Sequence, residues 1–249
     1  MAGHSHWANI AHKKAVRDAR KGKIISKLAR LIYTAVKEGK SGKPEDNPRL
    51  RLVLEKCRAA NMSKDVIQRN IEKALGSGQG YEPMIFEAFG PGGIAVVVEA
   101  MTDNPGRTGP EVRNLLEKHG AKLAKPGSVA HLFQRKGVFL VEKSKASEER
   151  VMEAALDAGA EDVVLQDTFY QVLTAAADFV AVGEALHRLG IETSQSEIQL
   201  IPETRVVVDA ETARRMLNLI ERIEEHEDVQ NVYSNIDVSA ETAAALSKD

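Results

Sequence analysis

Between residues 137 and 201 the chain alternates between two hydrophobic periods, and that alternation limits the folds open to it. Segments 137–142, 161–166, 169–175 and 193–201 have strand character, and segments 147–158 and 178–189 repeat at helical spacing. Gly159 and Gly190 stand where the two helices must stop. The order is β-α-β-β-α-β, which predicts a ferredoxin-like domain.

The flanking segments contain the pieces of a second such set. Met84 to Phe89 reads as a strand, Gly90-Pro91-Gly92-Gly93 as a turn, and the nearly all-apolar Ile94 to Met101 as a central strand buried on both faces. Thr108 with Glu111 forms a capping-box pattern for a helix that buries Val112, Leu115 and Leu116 and stops at Gly120. Val129 to Phe133 is a further strand. After the insert come a strand over 204–208, a helix over 210–226 with Ala213, Met216, Leu217, Ile220 and Ile223 on one face, and a strand over 229–235. The expected class is therefore α+β: a small N-terminal helical domain plus two ferredoxin-like α+β domains, one inserted in the other. The expected boundaries are 1–23 for a basic arm, 24–76 for the helical domain, 77–80 for a linker, 81–135 with 203–238 for the discontinuous domain, 136–202 for the insert and 239–249 for a tail. Two sequential α+β domains split near residue 158 are the alternative.

The helical domain shows three apolar stripes. Ile24, Leu28, Leu31, Ile32 and Ala35 form the first, ended by Gly39, with Lys23, Lys27 and Arg30 off it. Asn47-Pro48 caps a second helix with Leu50, Val53, Leu54 and Cys57 inward. After a tight turn at Asn61 to Ser63, a third helix buries Val66, Ile67, Ile71 and Ala74. Gly76-Ser77-Gly78-Gln79-Gly80 then has the composition of a flexible linker, so the helical domain is expected to swing.

Charge is distributed very unevenly. The net charge is -2, but residues 1–75 hold 18 Lys and Arg against 7 Asp and Glu, and the remaining 174 residues carry the opposite imbalance. From Lys13 to Arg30 the bases Lys13, Lys14, Arg17, Arg20, Lys21, Lys23, Lys27 and Arg30 face Asp18 alone. A one-signed run of this kind fits a polyanion, because phosphate contacts release counterions. A solvated helix face is the plainer alternative. Trp7 can stack on a base or ribose, or dock the arm on the protein body, and His4, His6 and His12 suit phosphate or ribose hydrogen bonding better than metal binding.

Three secondary features are weaker. Helices two and three suggest a helix-turn-helix whose outward Lys64, Gln68, Arg69 and Lys73 could contact nucleic acid, although Asp65 and Glu72 share that helix. Gly90 to Gly93 together with Thr102 to Thr108 could form an anion cup beside Arg107, which would make Arg107 a further secondary nucleic-acid contact, or simply be turn and capping chemistry. Lys136-Gly137-Val138-Phe139 faintly resembles an RNA-stacking strand but stands on the first strand of its set, where stacking is not expected. The acidic run Glu221 to Asp228 reads as a solvated helix end. One cysteine excludes an intramolecular disulfide and a cysteine-rich zinc site. Neither a nucleophile elbow, nor a phosphate-cradling lysine loop, nor a zinc-binding histidine pair is present. The longest apolar run is far too short for a membrane span. Expected are no catalytic residues, no metal, no cofactor, no small-molecule substrate and no membrane contact, in a cytoplasmic monomer.

Several separate stretches together are similar to one family. Ala2-Gly3-His4-Ser5-His6-Trp7-Ala8-Asn9-Ile10, Asn47-Pro48-Arg49-Leu50-Arg51, Asn61-Met62, Gly90-Pro91-Gly92-Gly93, Thr102-Asp103-Asn104 with Arg107-Thr108, Gly127-Ser128-Val129 and Asp228-Val229-Gln230-Asn231-Val232-Tyr233 resemble the YebC family, in order and over the whole chain. That family includes the mitochondrial translational activator of cytochrome c oxidase. Two positions differ from its usual pattern: His6 stands in place of lysine and Ala88-Phe89 in place of Gly-Tyr. The resemblance implies a three-domain cytoplasmic or organellar protein without known catalysis. Members are named as probable transcriptional regulators that bind DNA, and others as translation factors acting on the ribosome, near its peptidyl-transferase centre, at proline-rich stalls. In both accounts the basic N-terminal region binds nucleic acid, here His4 to Arg30. The expected function is a non-enzymatic nucleic-acid-binding regulator of gene expression, with ribosomal RNA as the alternative ligand and a protein-interaction scaffold as a further alternative.

Overall fold

The computed structural model describes residues 21–76 and 80–246. They form two compact units, one spanning Leu132–Thr204 and the other made of the chain before and after it.

The larger unit begins with three helices, α1 (Lys21–Gly39), α2 (Pro48–Ala59) and α3 (Lys64–Leu75). Asn47 explains how the first two are joined. Its Oδ1 accepts from Leu50 N at 3.0 Å to cap α2, and its Nδ2 donates to the carbonyls of Ala35 and Ser41, both at 2.9 Å, near the end of α1. Asn61 adopts the left-handed region at φ 55, which lets Met62 N bond back to Cys57 O and turns the chain into α3. Leu28, Ile32, Val36, Leu50, Leu54, Cys57 and Ile71 pack together as its core. Burial pushes the Cys57 thiol up to about 11, so this side chain acts as a small hydrophobe.

Strands β1 (Glu82–Phe89) and β2 (Ala95–Thr102) pair antiparallel, with Phe86 opposite Val98. Gly92 and Gly93, at φ 72 and 74, supply the positive angles that close the turn between them. Helix α4 (Pro105–Lys118) follows, then the two-residue β3 (Lys122–Leu123). After the insert come β8 (Val206–Val208), α7 (Ala210–Glu224), β9 (Val229–Ser234), β10 (Ile236–Val238) and α8 (Ala240–Leu246), with β4 to β7, α5 and α6 belonging to the insert. The main sheet has the order β3-β1-β2-β9, and β8 with β10 forms a separate parallel pair. Residues Ala95 to Val98 are essentially inaccessible, as expected for a strand flanked on both sides.

The α+β class is as expected, but three local details differ. Strand β8 does not enter the four-stranded sheet; β1 occupies that place, because its short hairpin to β2 gives an uninterrupted eight-residue register. Residues 130–132 form a 3-10 turn, not a strand, because the amides of Gly127, Val129 and Ala130 all donate to the Glu87 carboxylate at 2.5 to 2.8 Å. The N-cap of α4 is Asn104, accepting from Arg107 N at 3.1 Å, with Pro105 in the first turn. Thr108 is buried within the helix.

The insert contains β4 (Phe133–Glu142), α5 (Glu148–Leu156), β5 (Ala160–Leu165), β6 (Phe169–Ala175), α6 (Phe179–Arg188) and β7 (Gln195–Pro202). Its sheet order β5-β6-β4-β7, antiparallel throughout, is the ferredoxin-like arrangement. Phe139 is buried and stacks on Phe179 of α6 at 4.7 Å, so it offers no platform for a base. Gly137 lies opposite Thr174 in the register, and a Cβ there would meet Thr174 Oγ1 at 2.5 Å and Phe179 Cδ2 at 2.7 Å. Gly137→Ala is expected to destabilise the protein by about 1–3 kcal/mol through overpacking. Denaturant unfolding followed by circular dichroism checks this; an unchanged midpoint would mean that the contact relaxes freely.

Candidate nucleic-acid interface and the junction behind it

The charged residues of α1 divide into two groups. His4, His6, Trp7, His12, Lys13, Lys14, Arg17 and Arg20 lie outside the described residues. Lys21 and Lys23 stand in the first turn of α1. Lys27 and Arg30 continue the same run but face the protein itself. Lys27 Nζ donates to Gln230 O at 3.2 Å. Arg30 Nη1 donates to Glu227 O at 2.6 Å, and Nη2 to Asp228 Oδ1 at 2.6 Å. With its side chain 9% exposed, Arg30 cannot reach a phosphate polymer, which corrects its expected place in the interface.

Asp228 is the centre of this junction. Its side chain is fully buried, and Oδ2 accepts from Thr108 Oγ1 at 2.6 Å, Arg107 Nη2 at 2.7 Å and Thr102 Oγ1 at 3.3 Å. Its backbone joins in, since Met101 N donates to Asp228 O at 2.8 Å and Asp228 N donates to His226 Nδ1 at 3.2 Å. An accepting Nδ1 leaves the His226 proton on Nε2, 3.0 Å from Glu111. Burial alone would raise the Asp228 pKa, but the hydrogen bonds from Thr108 and Arg107 and the Arg30 and Arg107 charges outweigh it and hold the carboxyl below its ordinary range. The acidic run ending at Asp228 is therefore not uniformly a solvated helix end.

The junction limits the swing expected of the helical domain. Besides Arg30, Tyr81 just past the linker meets Tyr33 of α1 edge-on at 5.4 Å, with Arg30 and Lys73 over its ring at 5.4 and 4.2 Å. A flexible composition does not produce free motion where a buried ion pair spans the two sides.

Arg107 does not form an anion cup. Besides Asp228 it lies 3.7 to 3.9 Å from the carboxylates of Asp103, Glu111 and Glu227, a setting that repels phosphate. The Gly90–Gly93 turn is at the other end of the β1-β2 hairpin, about 26 Å away for eight residues of strand. On α3, Lys64, Gln68, Arg69 and Lys73 are exposed. Gln68 donates to Glu72 at 2.9 Å and Arg69 Nε to Asp65 O at 3.2 Å, so part of this face is self-paired.

Sequence reasoning missed Asp228 and Glu87 as organisers. Glu87, on β1 beside β3, is buried and holds the Gly127–Ala130 loop. Burial pushes its pKa up, but the Gly127, Ala130 and Val129 amides and the His131 charge pull it down further. The available signal was one acid at the start of an apolar strand and another within one. No group of three or more metal-binding side chains occurs among the described residues, and none of their helices is long and apolar enough to cross a membrane.

Residues 5–77 match the TACO1/YebC protein N-terminal domain, and residues 81–236 match the TACO1/YebC second and third domain. The chain belongs to the TACO1/YebC family. This TACO1/YebC protein is 45% identical over 249 residues to a "Probable transcriptional regulatory protein" of Rubrobacter xylanophilus, with 99% of each chain covered. It is 46% identical to the "Transcriptional regulatory protein PmpR" of Pseudomonas aeruginosa, over 99% of this chain and 100% of that one. The crystal structure of the conserved hypothetical protein Aq1575 from Aquifex aeolicus is similar at a TM-score of 0.81 and 39% identity, covering 89% of this chain and 92% of that one.

Asp228→Asn is expected to lower stability at neutral pH by about 3–5 kcal/mol, because Arg30 is left buried without its counter-charge. The native carboxyl has a depressed pKa, so its stabilisation is full above the unfolded value near about 3.9 and is lost as pH falls through the folded value. Urea unfolding across that range should show this acid dependence in the wild type and a weaker one in the variant; parallel curves would contradict it.

Proposed function

We propose that the protein is a non-enzymatic regulator of gene expression that binds nucleic acid through its basic arm, acting first as a DNA-binding transcriptional regulator. One observation supports this most: the cations from Lys13 to Lys23 stand against Asp18 alone and lead into a helix that Arg30 ties to the protein body. The proposed contacts are His4, His6, Trp7, His12, Lys13, Lys14, Arg17, Arg20, Lys21 and Lys23, with Lys64, Gln68, Arg69 and Lys73 as secondary ones. The relatives named as transcriptional regulatory proteins support the same reading. No cofactor, small-molecule substrate or membrane enters the proposal, and the acting species is a cytoplasmic monomer.

The partial self-pairing of α3 favours a second reading. A helix that reads bases needs free donors and acceptors, whereas contacts to the phosphate backbone do not distinguish a promoter from ribosomal RNA. The second reading, which takes its activity from the family resemblance, is a ribosome-binding factor that relieves stalling at proline-rich sequences.

Replacing Lys13, Lys14, Arg17 and Arg20 by alanine is expected to flatten the plot of log affinity against log salt. The change should be about 0.9 per lost phosphate contact on duplex DNA and about 0.7 on a single strand. Fluorescence anisotropy on both polymers measures the slopes, and unchanged slopes would remove the arm from the mechanism.

A further inference from the structure

The larger unit carries another concentration of positive charge, far from the arm in sequence. Arg214, Asn218 and Arg222 recur every four residues on α7, and Arg215 stands beside them. With Lys118, His119 and Gly120 at the end of α4 they line an open cleft of about 550 Å3. Among the described residues no carboxylate lines it, although the remainder of the chain after residue 75 is acidic. The acids of α7, Glu211, Glu221 and Glu224, lie outside the lining.

Helix stability does not require this arrangement. A cation at the end of α4 is favoured by the helix dipole, which accounts for Lys118. Arg222 likewise stands in the last turn of α7, but Arg214 and Arg215 have no such reason, because they sit in the first half of that helix, away from its C-terminal end. Lys118, Arg214, Arg215 and Arg222 are all exposed, and Arg222 has a solvent-exposed ion pair with Glu225 at 3.2 Å. Gly120 turns the chain at φ 84, and a Cβ there would come within 3.7 Å of Arg215 Nη2, so that guanidinium lies close over the turn. Planar guanidinium groups suit the paired oxygens of a phosphodiester.

We propose that this cleft seats backbone phosphates of the nucleic acid that the arm binds, as a second contact set on the folded body. The inference rests on the nucleic-acid reading above. The shared chemistry is the phosphodiester, from duplex DNA or from single-stranded RNA.

The test is fluorescence anisotropy with a 25-base-pair duplex DNA and a 25-nucleotide single-stranded RNA across a salt series, using the full chain. Three variants are compared: Lys118→Ala/Arg215→Ala/Arg222→Ala in the cleft, Lys13→Ala/Lys14→Ala/Arg17→Ala/Arg20→Ala in the arm, and Lys143→Ala/Arg150→Ala/Arg188→Ala on the insert. The insert variant loses as much charge as the cleft variant and should bind like the wild type. The cleft variant should weaken binding at 0.1 M salt by at least about tenfold and flatten the slope by about 0.9 per lost contact on duplex, or about 0.7 on single strands. Arg215→Lys/Arg222→Lys keeps the charge and should keep the slope. The polymer with the larger loss identifies the source of the phosphates. If the arm variant weakens binding while the cleft variant matches the wild type, or if the insert variant loses as much as the cleft variant, the cleft inference is overturned and the arm reading stands. If the wild type binds neither polymer, the functional reading falls and the cleft falls with it.

Discussion

A fully buried carboxylate must satisfy both of its oxygens within the protein, and at Asp228 that requirement brings distant parts of the chain together. One oxygen takes Arg30 from α1; the other takes Arg107 and Thr108 from the start of α4 and Thr102 from the end of β2. Removing a charge from water is unfavourable by several kcal/mol, so the arrangement holds only if its partners arrive together in good geometry. The three helices at the N-terminus are thereby given a defined seat on the sheet, despite a linker whose glycines would otherwise permit many orientations. The basic run precedes α1 directly in sequence, so the helix that this junction fastens is the one into which the run leads.

Much of the architecture was legible because it is dictated locally. Asn47 and Ser63 cap α2 and α3, Gly159 and Gly190 follow α5 and α6 with positive φ, and the apolar spacing of 137–201 fixes a sheet and two helices. The parts that were not legible depend on competition between distant segments. Val206 to Val208 has strand character, but it pairs with Ile236 to Val238 and not with the main sheet. Residues 130–132 are apolar enough for a strand, yet a carboxylate some forty residues earlier takes the amides around them.

The candidate site shows the same division. A run of cations in sequence reads as one surface, but helical spacing decides which of them turn toward the protein. Lys27 and Arg30, three apart and so on one face of α1, both meet the segment from Glu227 to Gln230. The same residue types thus serve to fasten the helix at one end of the run and are proposed to bind phosphate at the other. Asp228 was hidden for the converse reason, because it ends an acidic stretch whose other members are mostly solvated. The cationic cleft on α7 was equally invisible, since Lys118 and Arg215 are distant in sequence and meet only through the packing of α4 and α7.

The most direct test of this account is a double-mutant cycle between Arg30 and Asp228, each changed to alanine alone and together, with the unfolding free energy measured by denaturant at neutral pH. A junction that fastens the helical domain predicts a coupling of at least about 1.5 kcal/mol, the double variant being less damaged than the sum of the singles. Additivity to within about 0.5 kcal/mol would show that the two side chains act independently, and that the helical domain is not held by them.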